Sequence, residues 1–295
     1  MRILVCGARG FVGHHLERAL SQCGYEVLRG MRKPESAQDV TVDFTRDTES
    51  WRWRERLEGI DVLINTVGVL RDTTNAPMAL IHERAPCALF TACAEVGVAR
   101  IVHLSALGVG GALATRYFTS REAAERCLES LPDAVSSLIL RPSLIYGAGG
   151  ASADLFLHLA RLPILALPAG LDTRLQPVHI NDIAQAVTRW LGDARPVRMR
   201  VAAVGAESTD LSGLIASYRS QLGHKPARLL PMSYGLLRFA ARLGDRFPNS
   251  LLCSDTLHML EAGNTADPAP FARLLGHSPL GFHEFIHPVR QEIQT

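Results

Sequence analysis

Three glycines near the start of the chain restrict its fold more than any other feature. Gly7, Gly10 and Gly13 are spaced three residues apart, directly after a short apolar run and directly before a helix-like run. Gly7 suits the tight turn that leaves a strand, Gly10 lets the main chain approach a pyrophosphate, and Gly13 lets the new helix pack closely. The N–H groups and the positive end of that helix then face an anion. The pattern predicts a dinucleotide site, with a purely structural glycine turn as the alternative. The predicted cofactor contacts in this loop are Gly7, Gly10, Phe11, Val12 and Gly13.

The charges after the second apolar run indicate which dinucleotide is preferred. A free ribose 2′-hydroxyl calls for an acidic residue about 20 positions past the glycines, whereas residues 29–33 read RGMRK. Arg9 also lies within the glycine loop. Because guanidinium groups bind phosphate through paired hydrogen bonds, Arg9 and Arg32 predict a 2′-phosphate. We therefore expect NADP(H) rather than NAD(H), the alternative being that these are solvated surface charges.

Alternating apolar and amphipathic segments predict an α/β class fold with a doubly wound parallel sheet. Strands are expected at 2–6, 25–29, 40–43, 60–65, 100–104 and 136–140, with helices at about 11–23, 48–57, 78–97 and 115–130. Residues 175–178 and 199–204 are expected as late strands. This gives a dinucleotide-binding domain over 1–205 and a smaller, mostly helical lobe over 206–295. Ligands in such sheets bind at the carboxyl ends of the strands.

Composition excludes several classes of protein. The 295 residues are 47% hydrophobic and 20% charged, with a net charge of +2, which indicates a globular chain and argues against nucleic acid as the main partner. The six cysteines lack paired spacing and predict buried small side chains in a reducing compartment. No signal peptide or membrane span is recognised, so we expect a cytoplasmic protein.

A second group of residues indicates acid–base chemistry. Ser105 follows the fifth predicted strand, Tyr117 comes twelve residues later, and Arg121 lies one helical turn after the tyrosine. Residues 65–68 (NTVG) follow strand four, and residues 141–146 (RPSLIY) follow strand six. With the glycine loop, these segments resemble the short-chain dehydrogenase/reductase superfamily over about residues 1 to 205. The chain is similar to the extended and atypical branches, which include nucleotide-sugar epimerases and the NADPH-binding accessory subunit of respiratory complex I.

The resemblance implies a doubly wound (Rossmann) domain in which Tyr117 is the general acid/base for a carbonyl or alcohol and Ser105 hydrogen-bonds the substrate oxygen. A phenol releases its proton near neutrality only if a cation stabilises the phenolate. The family uses a lysine that also holds the nicotinamide ribose, whereas this chain has Arg121. Arginine is bulkier, planar and always charged, so it supplies charge without serving a proton relay.

The resemblance also implies further contacts around the cofactor. Asp43 and Phe44 would flank the adenine, although a strand-end turn explains them nearly as well. Arg174 would face an anionic substrate, with an ordinary surface arginine as the favoured alternative. The remaining implied cofactor contacts are Thr66, Val67, Gly68, Pro142 and Ser143.

Two other patterns suggest different functions. His283, Glu284 and His287 match the zinc-peptidase motif, but the following proline disfavours a helix there, and we expect no metal site. Residues 232–247 carry apolar side chains at helical spacing with arginines between them, a pattern of membrane or subunit contact. We favour a core-packing helix with a solvated face.

The sequence therefore predicts an NADP(H)-dependent oxidoreductase or epimerase-like enzyme acting on a small molecule. The competing hypothesis is a non-catalytic accessory or sensor protein that keeps the dinucleotide as a structural ligand. A homodimer through the helices around Tyr117 fits the resemblance.

Overall fold

The computed structural model describes residues 1–168, 173–194, 197–247 and 250–287. The chain divides into two compact units. Unit 1 comprises Met1–Pro142 and Ile183–Val201, and unit 2 comprises Ser143–Asp182 and Ala202–Thr295.

The strands follow the predicted apolar runs closely. They are β1 (Arg2–Cys6), β2 (Glu26–Met31), β3 (Asp39–Thr41), β4 (Val62–Asn65), β5 (Arg100–Leu104), β6 (Ser136–Pro142), β7 (Ile145–Tyr146), β8 (Ile164–Pro168), β9 (Val178–His179), β10 (Met199–Ala203) and β11 (Arg228–Met232). The longer helices alternate with these strands. They are α1 (Phe11–Gln22), α2 (Ala85–Val96), α3 (Arg116–Glu129), α4 (Ala151–Arg161), α5 (Ile180–Gly192), α6 (Leu211–Gln221), α7 (Tyr234–Gly244), α8 (Ser254–Glu261) and α9 (Ala269–Leu275).

A seven-stranded sheet forms the centre of unit 1, in the order β10-β6-β5-β4-β1-β2-β3. The pairings among β1 to β6 are parallel, and Val5 of β1 aligns with Arg29 of β2 and Ile64 of β4. Ile3 and Leu4 are fully buried, as expected for a central strand covered on both faces. The strand order reverses between β1 and β4, where doubly wound sheets bind ligands. The predicted fold class is confirmed.

Two predicted helices take other forms. Residues 48–57 form two 3₁₀ turns, Ser50–Arg52 and Glu55–Leu57, so the helix predicted there is wrong. The cause is Trp53, which is fully buried and donates its indole N–H to the Asp47 carbonyl at 2.9 Å. The helix predicted at 78–97 begins with a π-helical segment, Ala79–Arg84, before α2 continues it.

Unit 2 has its own core, built from Tyr146, Leu175, Tyr218 and Phe285 among others. The strand predicted at 199–204 is β10, Met199–Ala203. The strand predicted at 175–178 is reduced to β9, which pairs with β7 in a separate two-stranded sheet. Leu175 makes only isolated bridges.

Helix α7 corrects the prediction for residues 232–247. Leu237 and Ala241 pack against Leu257 of α8 as a core-facing side. Leu236, Phe239 and Leu243 instead lie on the surface. The solvated face of this helix therefore carries large apolar side chains as well as arginines. Within the described ranges, no helix has the length and apolar character needed to cross a membrane.

The cysteines also differ from expectation. Cys6, Cys93 and Cys253 are buried and unpaired, but Cys87 of α2 and Cys127 of α3 form a disulfide. The prediction of buried small side chains in a reducing compartment is wrong for Cys23, which is exposed, and it is also wrong for this disulfide pair. Their sequence separation of 40 residues gave no local sign of the pairing.

Candidate functional site

The loop after β1 is a cradle of backbone atoms. Gly7 has a φ of 85°, a left-handed conformation that favours glycine. A Cβ on Gly13 would lie 2.2 Å from the carbonyl oxygen of Gly7, and a Cβ on Gly10 would lie 3.1 Å from the same oxygen. Helix α1 begins directly afterwards, with Gly10 as its N-cap and no side-chain cap. The first N–H groups of α1 are therefore available to an anion, and the residues present fit a pyrophosphate. Phe11 and Val12 occupy the first turn of that helix.

The segment after β2 contains an acid that the sequence analysis overlooked. Arg9 of the glycine loop forms an ion pair with Glu35, and both side chains are more than half exposed. Arg29 binds the Asp39 carboxylate at 2.8 Å. The Glu35 backbone N–H, the side chain of Arg29 and a neighbouring N–H together hold the pKa of Asp39 below its usual range. Arg32 lies on the surface of the same loop. The structure therefore places both predicted arginines near this loop, with one of them already paired.

Asp43 and Phe44 serve local structure at the end of β3. The Asp43 carboxylate accepts hydrogen bonds from the backbone N–H and hydroxyl of Thr45, at 3.0 and 2.7 Å. Partial burial raises the pKa of Asp43, but these bonds together with two nearby arginine charges outweigh it and keep the pKa below the usual range. Phe44 is buried edge-on against Trp53, with ring centroids 5.5 Å apart. The arrangement matches the strand-end turn that was the alternative interpretation.

The segment after β4 lies against the glycine loop. Thr66 donates its hydroxyl to the Cys6 carbonyl at 2.8 Å, and its Oγ1 would lie 2.7 Å from a Cβ on Gly7. The Val67 N–H donates to the Asn65 side chain at 3.1 Å. A Cβ on Gly68 would lie 2.2 Å from Nη2 of Arg121. A larger residue at position 68 would therefore displace that guanidinium.

Tyr117 and Arg121 meet at the start of α3. Thr115 caps this helix by accepting a hydrogen bond from the Phe118 N–H at 3.2 Å. Cζ of Arg121 lies 4.8 Å from the centroid of the Tyr117 ring, and Nη1 donates to the Leu104 carbonyl at 2.8 Å. Arg121 is buried, and its Nε has no hydrogen-bond partner among the described residues. The predicted pair therefore forms a stacked cation and phenol.

Two buried histidines that were not predicted from the sequence, His82 and His103, lie close to Tyr117 and Arg121. His82 accepts the Val69 N–H at Nε2 at 2.9 Å, so its proton is assigned to Nδ1, which faces the Ser120 hydroxyl at 3.0 Å. Burial, Arg121 and His103 lower the pKa of His82 to about 2.

His103 lies on β5 with its Nδ1 3.3 Å from the Asn65 amide nitrogen. Burial and Arg121 lower its pKa to about 3. Its Nε2 has no hydrogen-bond partner among the described residues. Both imidazoles are therefore neutral beside the buried Arg121 charge.

Ser105 is bound to an acid that the sequence analysis also missed. Its hydroxyl donates a short hydrogen bond to Glu125, which is almost fully buried on α3. Arg141 holds the same carboxylate through Nη2 at 2.5 Å and Nε at 2.9 Å, and Arg200 lies 3.9 Å away. Glu125 lies two helical turns after Tyr117, on the same face as Arg121, and this spacing was the available signal. Because Ser105 has one proton and Glu125 receives it, the hydroxyl can only accept a hydrogen bond from a ligand.

The last predicted contacts lie at or beyond the boundary of unit 1. Pro142 is the final residue of β6. Ser143 begins unit 2, where it is buried and donates its hydroxyl to the Gln176 carbonyl at 2.5 Å. Arg174, also in unit 2, donates to Ser208 at 3.0 and 3.1 Å. The structure thus gives Ser143 and Arg174 partners within unit 2.

The motif resembling a zinc peptidase has no helix to present it. His283 and Glu284 lie in a 3₁₀ turn, Phe282–Glu284, and Nε2 of His283 is 3.4 Å from the Glu207 carboxylate. Within the described part of the chain, no group of three or more histidine, cysteine, aspartate or glutamate side chains is arranged to hold a metal ion.

Comparison with known proteins gives a consistent family match. The model of the NAD dependent epimerase/dehydratase family matches residues 3–202. The chain is similar to ceramide reductase from Caulobacter vibrioides, with 29% identity over 62% of this chain and 58% of the relative. It is also similar to the mitochondrial NADH dehydrogenase (ubiquinone) 1 alpha subcomplex subunit 9 from Arabidopsis thaliana, with 28% identity over 64% of this chain and 50% of the relative. The matched part is thus only about half the length of these curated relatives.

The fold also matches solved structures. MoeE5 in complex with UDP-glucuronic acid and NAD superposes with a TM-score of 0.72 at 17% identity, covering 97% of this chain and 96% of that chain. At this identity the likeness extends to the fold alone.

Proposed function

Because the chain belongs to the NAD dependent epimerase/dehydratase family, we propose that it binds a nicotinamide dinucleotide and catalyses a redox step on a hydroxyl-bearing substrate. The observation that carries this proposal is the glycine cradle. A Cβ at Gly13 would meet the Gly7 carbonyl oxygen at 2.2 Å, so only glycine allows the start of α1 to pack this closely on the loop. The uncapped start of α1 adds N–H donors suited to a pyrophosphate.

The bound nicotinamide supplies hydride transfer, and the protein supplies alignment and proton movement. Tyr117 is the proposed proton-transfer group, since Arg121 holds a fixed positive charge against its ring. Ser105 accepts a hydrogen bond from the substrate, because its own proton is bound to Glu125. The proton of the reacting alcohol goes to Tyr117 when the alcohol is oxidised, so the group that donates to Ser105 is a second donor of the substrate, such as a neighbouring hydroxyl.

The proposed cofactor preference is NADP(H). Arg9 and Arg32 provide guanidinium groups near the end of β2, where a 2′-phosphate would lie. Glu35 opposes this preference because it pairs with Arg9. The pair is largely exposed and therefore weak, so a phosphate can replace the carboxylate.

A second candidate function is a non-catalytic dinucleotide-binding accessory protein. The observation that favours it is the packing of Arg121, which binds the Leu104 carbonyl and fills the space beside Gly68. A cation held in this way is less free to reach a ribose than a lysine would be. The relative named as an NADH dehydrogenase subunit is a protein of an assembly, in line with this alternative.

Calorimetry and turnover assays with Tyr117→Phe separate the two functions. We expect saturable dinucleotide binding by the wild-type protein, and turnover of an alcohol or nucleotide-sugar panel that falls about a hundredfold or more in Tyr117→Phe. Binding should be retained in that variant. Tyr25→Phe, a partly buried tyrosine of unit 1, is the control and should change neither quantity.

The alternative outcomes are distinct. Tight dinucleotide binding with no turnover by the wild type supports the accessory function. Equal turnover by wild type and Tyr117→Phe removes the assigned role of Tyr117. Absence of saturable binding to either NADPH or NADH overturns both functions.

A further inference from the structure

Helix α7 of unit 2 exposes large apolar side chains on one face. Leu236, Phe239 and Leu243 are 55%, 65% and 45% exposed. Their spacing of three and four residues places them on one side of the helix. Leu237 and Ala241 occupy a different side, where they pack against α8. The helix is thus fixed to unit 2 through one side and presents a second apolar stripe to solvent, which we call the α7 stripe (Leu236, Phe239 and Leu243).

A row of arginines lies beside the α7 stripe. Arg238 and Arg242 are one turn apart on the helix, and Arg246 follows four residues later in the turn that ends it. All three are exposed, and none forms an ion pair with a described residue. The sole acid between 228 and 247 is Asp245, whose carboxylate binds the N–H and hydroxyl of Ser254. The positive charge of this row is therefore not neutralised by the helix itself.

Strand β11, which directly precedes α7 in the chain, carries further exposed apolar side chains. Its Leu229 and Leu230 are 56% and 42% exposed, and Arg228 precedes them on the surface. Ser233 alone separates the strand from the helix and caps it by accepting the Leu236 N–H at 3.3 Å. The stretch 228–247 thus carries seven exposed large apolar or aromatic residues and four exposed arginines.

This combination fits the surface of an anionic membrane. Helices that lie in the plane of a bilayer place leucine and phenylalanine in the boundary between headgroups and acyl chains, with basic residues beside them. Guanidinium groups bind lipid phosphates through paired hydrogen bonds. A second copy of the chain would instead bring another row of unneutralised arginines to the contact, which is repulsive.

We propose that unit 2 docks on membranes containing anionic phospholipids through the α7 stripe and the adjacent arginines. The docking depends on unit 2 alone and holds whether or not the proposed chemistry of unit 1 is correct. A protein docked in this way would meet substrates carried in or near a bilayer.

Vesicle flotation with the full-length chain tests the proposal. We expect the protein to float with vesicles of phosphatidylcholine mixed with phosphatidylglycerol and to bind pure phosphatidylcholine much more weakly. Replacing Arg238, Arg242 and Arg246 together by glutamine should weaken binding to the anionic vesicles about a hundredfold, since each basic residue near the surface contributes about fivefold. Replacing Leu236, Phe239 and Leu243 together by serine should weaken it at least about tenfold. The matched control is Trp51→Ser, which removes an apolar side chain of unit 1 that is 60% exposed and should leave binding unchanged.

A second measurement keeps the test independent of how the multiple variants fold. Phe239→Trp retains an apolar ring, and its emission should shift to shorter wavelength with anionic vesicles and not with phosphatidylcholine alone. Lack of flotation, an unshifted emission, or equal binding by wild type and the arginine variant would each overturn the proposal. A concentration-dependent dimer in analytical ultracentrifugation that the serine variant abolishes would also overturn it, by assigning the α7 stripe to a contact between copies.

Discussion

The two neutral histidines of unit 1 are expected to make the fold sensitive to mild acid. In the unfolded chain a histidine titrates near about 6.5, whereas burial and Arg121 lower the pKa of His82 to about 2 and that of His103 to about 3. Between these limits the unfolded chain binds protons that the folded chain does not. The contribution of these two neutral histidines to the free energy of unfolding is therefore fully present above about pH 7 and decreases as the pH falls below about 6.5.

The size of the effect follows from linkage. At pH 5 each histidine lowers the free energy of unfolding by about 2 kcal/mol relative to pH 7, and the two together by about 4 kcal/mol. That is a large part of the free energy of unfolding of a typical protein, which is about 5 to 15 kcal/mol. The carboxylates with lowered pKa, such as Asp39 and Asp43, lose their contribution only at lower pH.

Urea unfolding followed by circular dichroism at pH 7, 6 and 5 provides the assay. His82→Asn and His103→Asn each remove one of the two protons, so the loss between pH 7 and 5 should be about 2 kcal/mol smaller than in the wild type. Each variant is expected to be less stable at pH 7, and the difference between pH values is the readout. His224→Asn, which replaces an exposed histidine, should retain the wild-type dependence. Wild-type pH dependence in both buried-site variants would refute the reasoning.

Two further predictions concern acids that bind arginines. Glu125→Gln removes the charge opposite Arg141 in a buried pair and should lower the free energy of unfolding by about 3 kcal/mol in the same urea assay. The exposed control Glu129→Gln should lower it by less than about 1 kcal/mol. Equal losses in the two variants would contradict the stabilising role of the buried pair. Glu35→Gln should free Arg9 and strengthen NADPH binding in calorimetry by up to about fivefold without changing NADH binding, and weaker binding of NADH alone would instead assign Glu35 to the ribose hydroxyls.

The fold was predictable because its determinants are local in sequence. The apolar runs at 2–6 and 100–104 match β1 and β5 to the residue. The helix predicted at 48–57 failed because the burial of Trp53 is a tertiary contact, and its hydrogen bond to Asp47 stabilises short turns instead. The paired Cys87 and Cys127 likewise meet only after two helices pack together.

The candidate site was predictable only for those residues whose spacing in the sequence indicates a shared loop or helix face. The glycines of the loop and the turn between Tyr117 and Arg121 are local features, and the structure brings each set together. Their partners come from distant segments. Glu125 was visible only as a position on the α3 face, and the approach of Gly68 to Arg121 follows from how β4 and α3 pack.

The π-helical segment Ala79–Arg84 affects how this chain should be aligned with its relatives. A π-turn closes its hydrogen bond across one residue more than an α-turn does, so it corresponds to a one-residue insertion within a helix. Removing one residue would rotate the segment that carries His82 by about 100° relative to α2 and turn a different side chain toward Val69. If a sequence alignment places the gap of a relative in a neighbouring loop, His82 is therefore aligned with a residue that is not its structural equivalent. The gap must be placed within the helix for equivalent positions to be aligned.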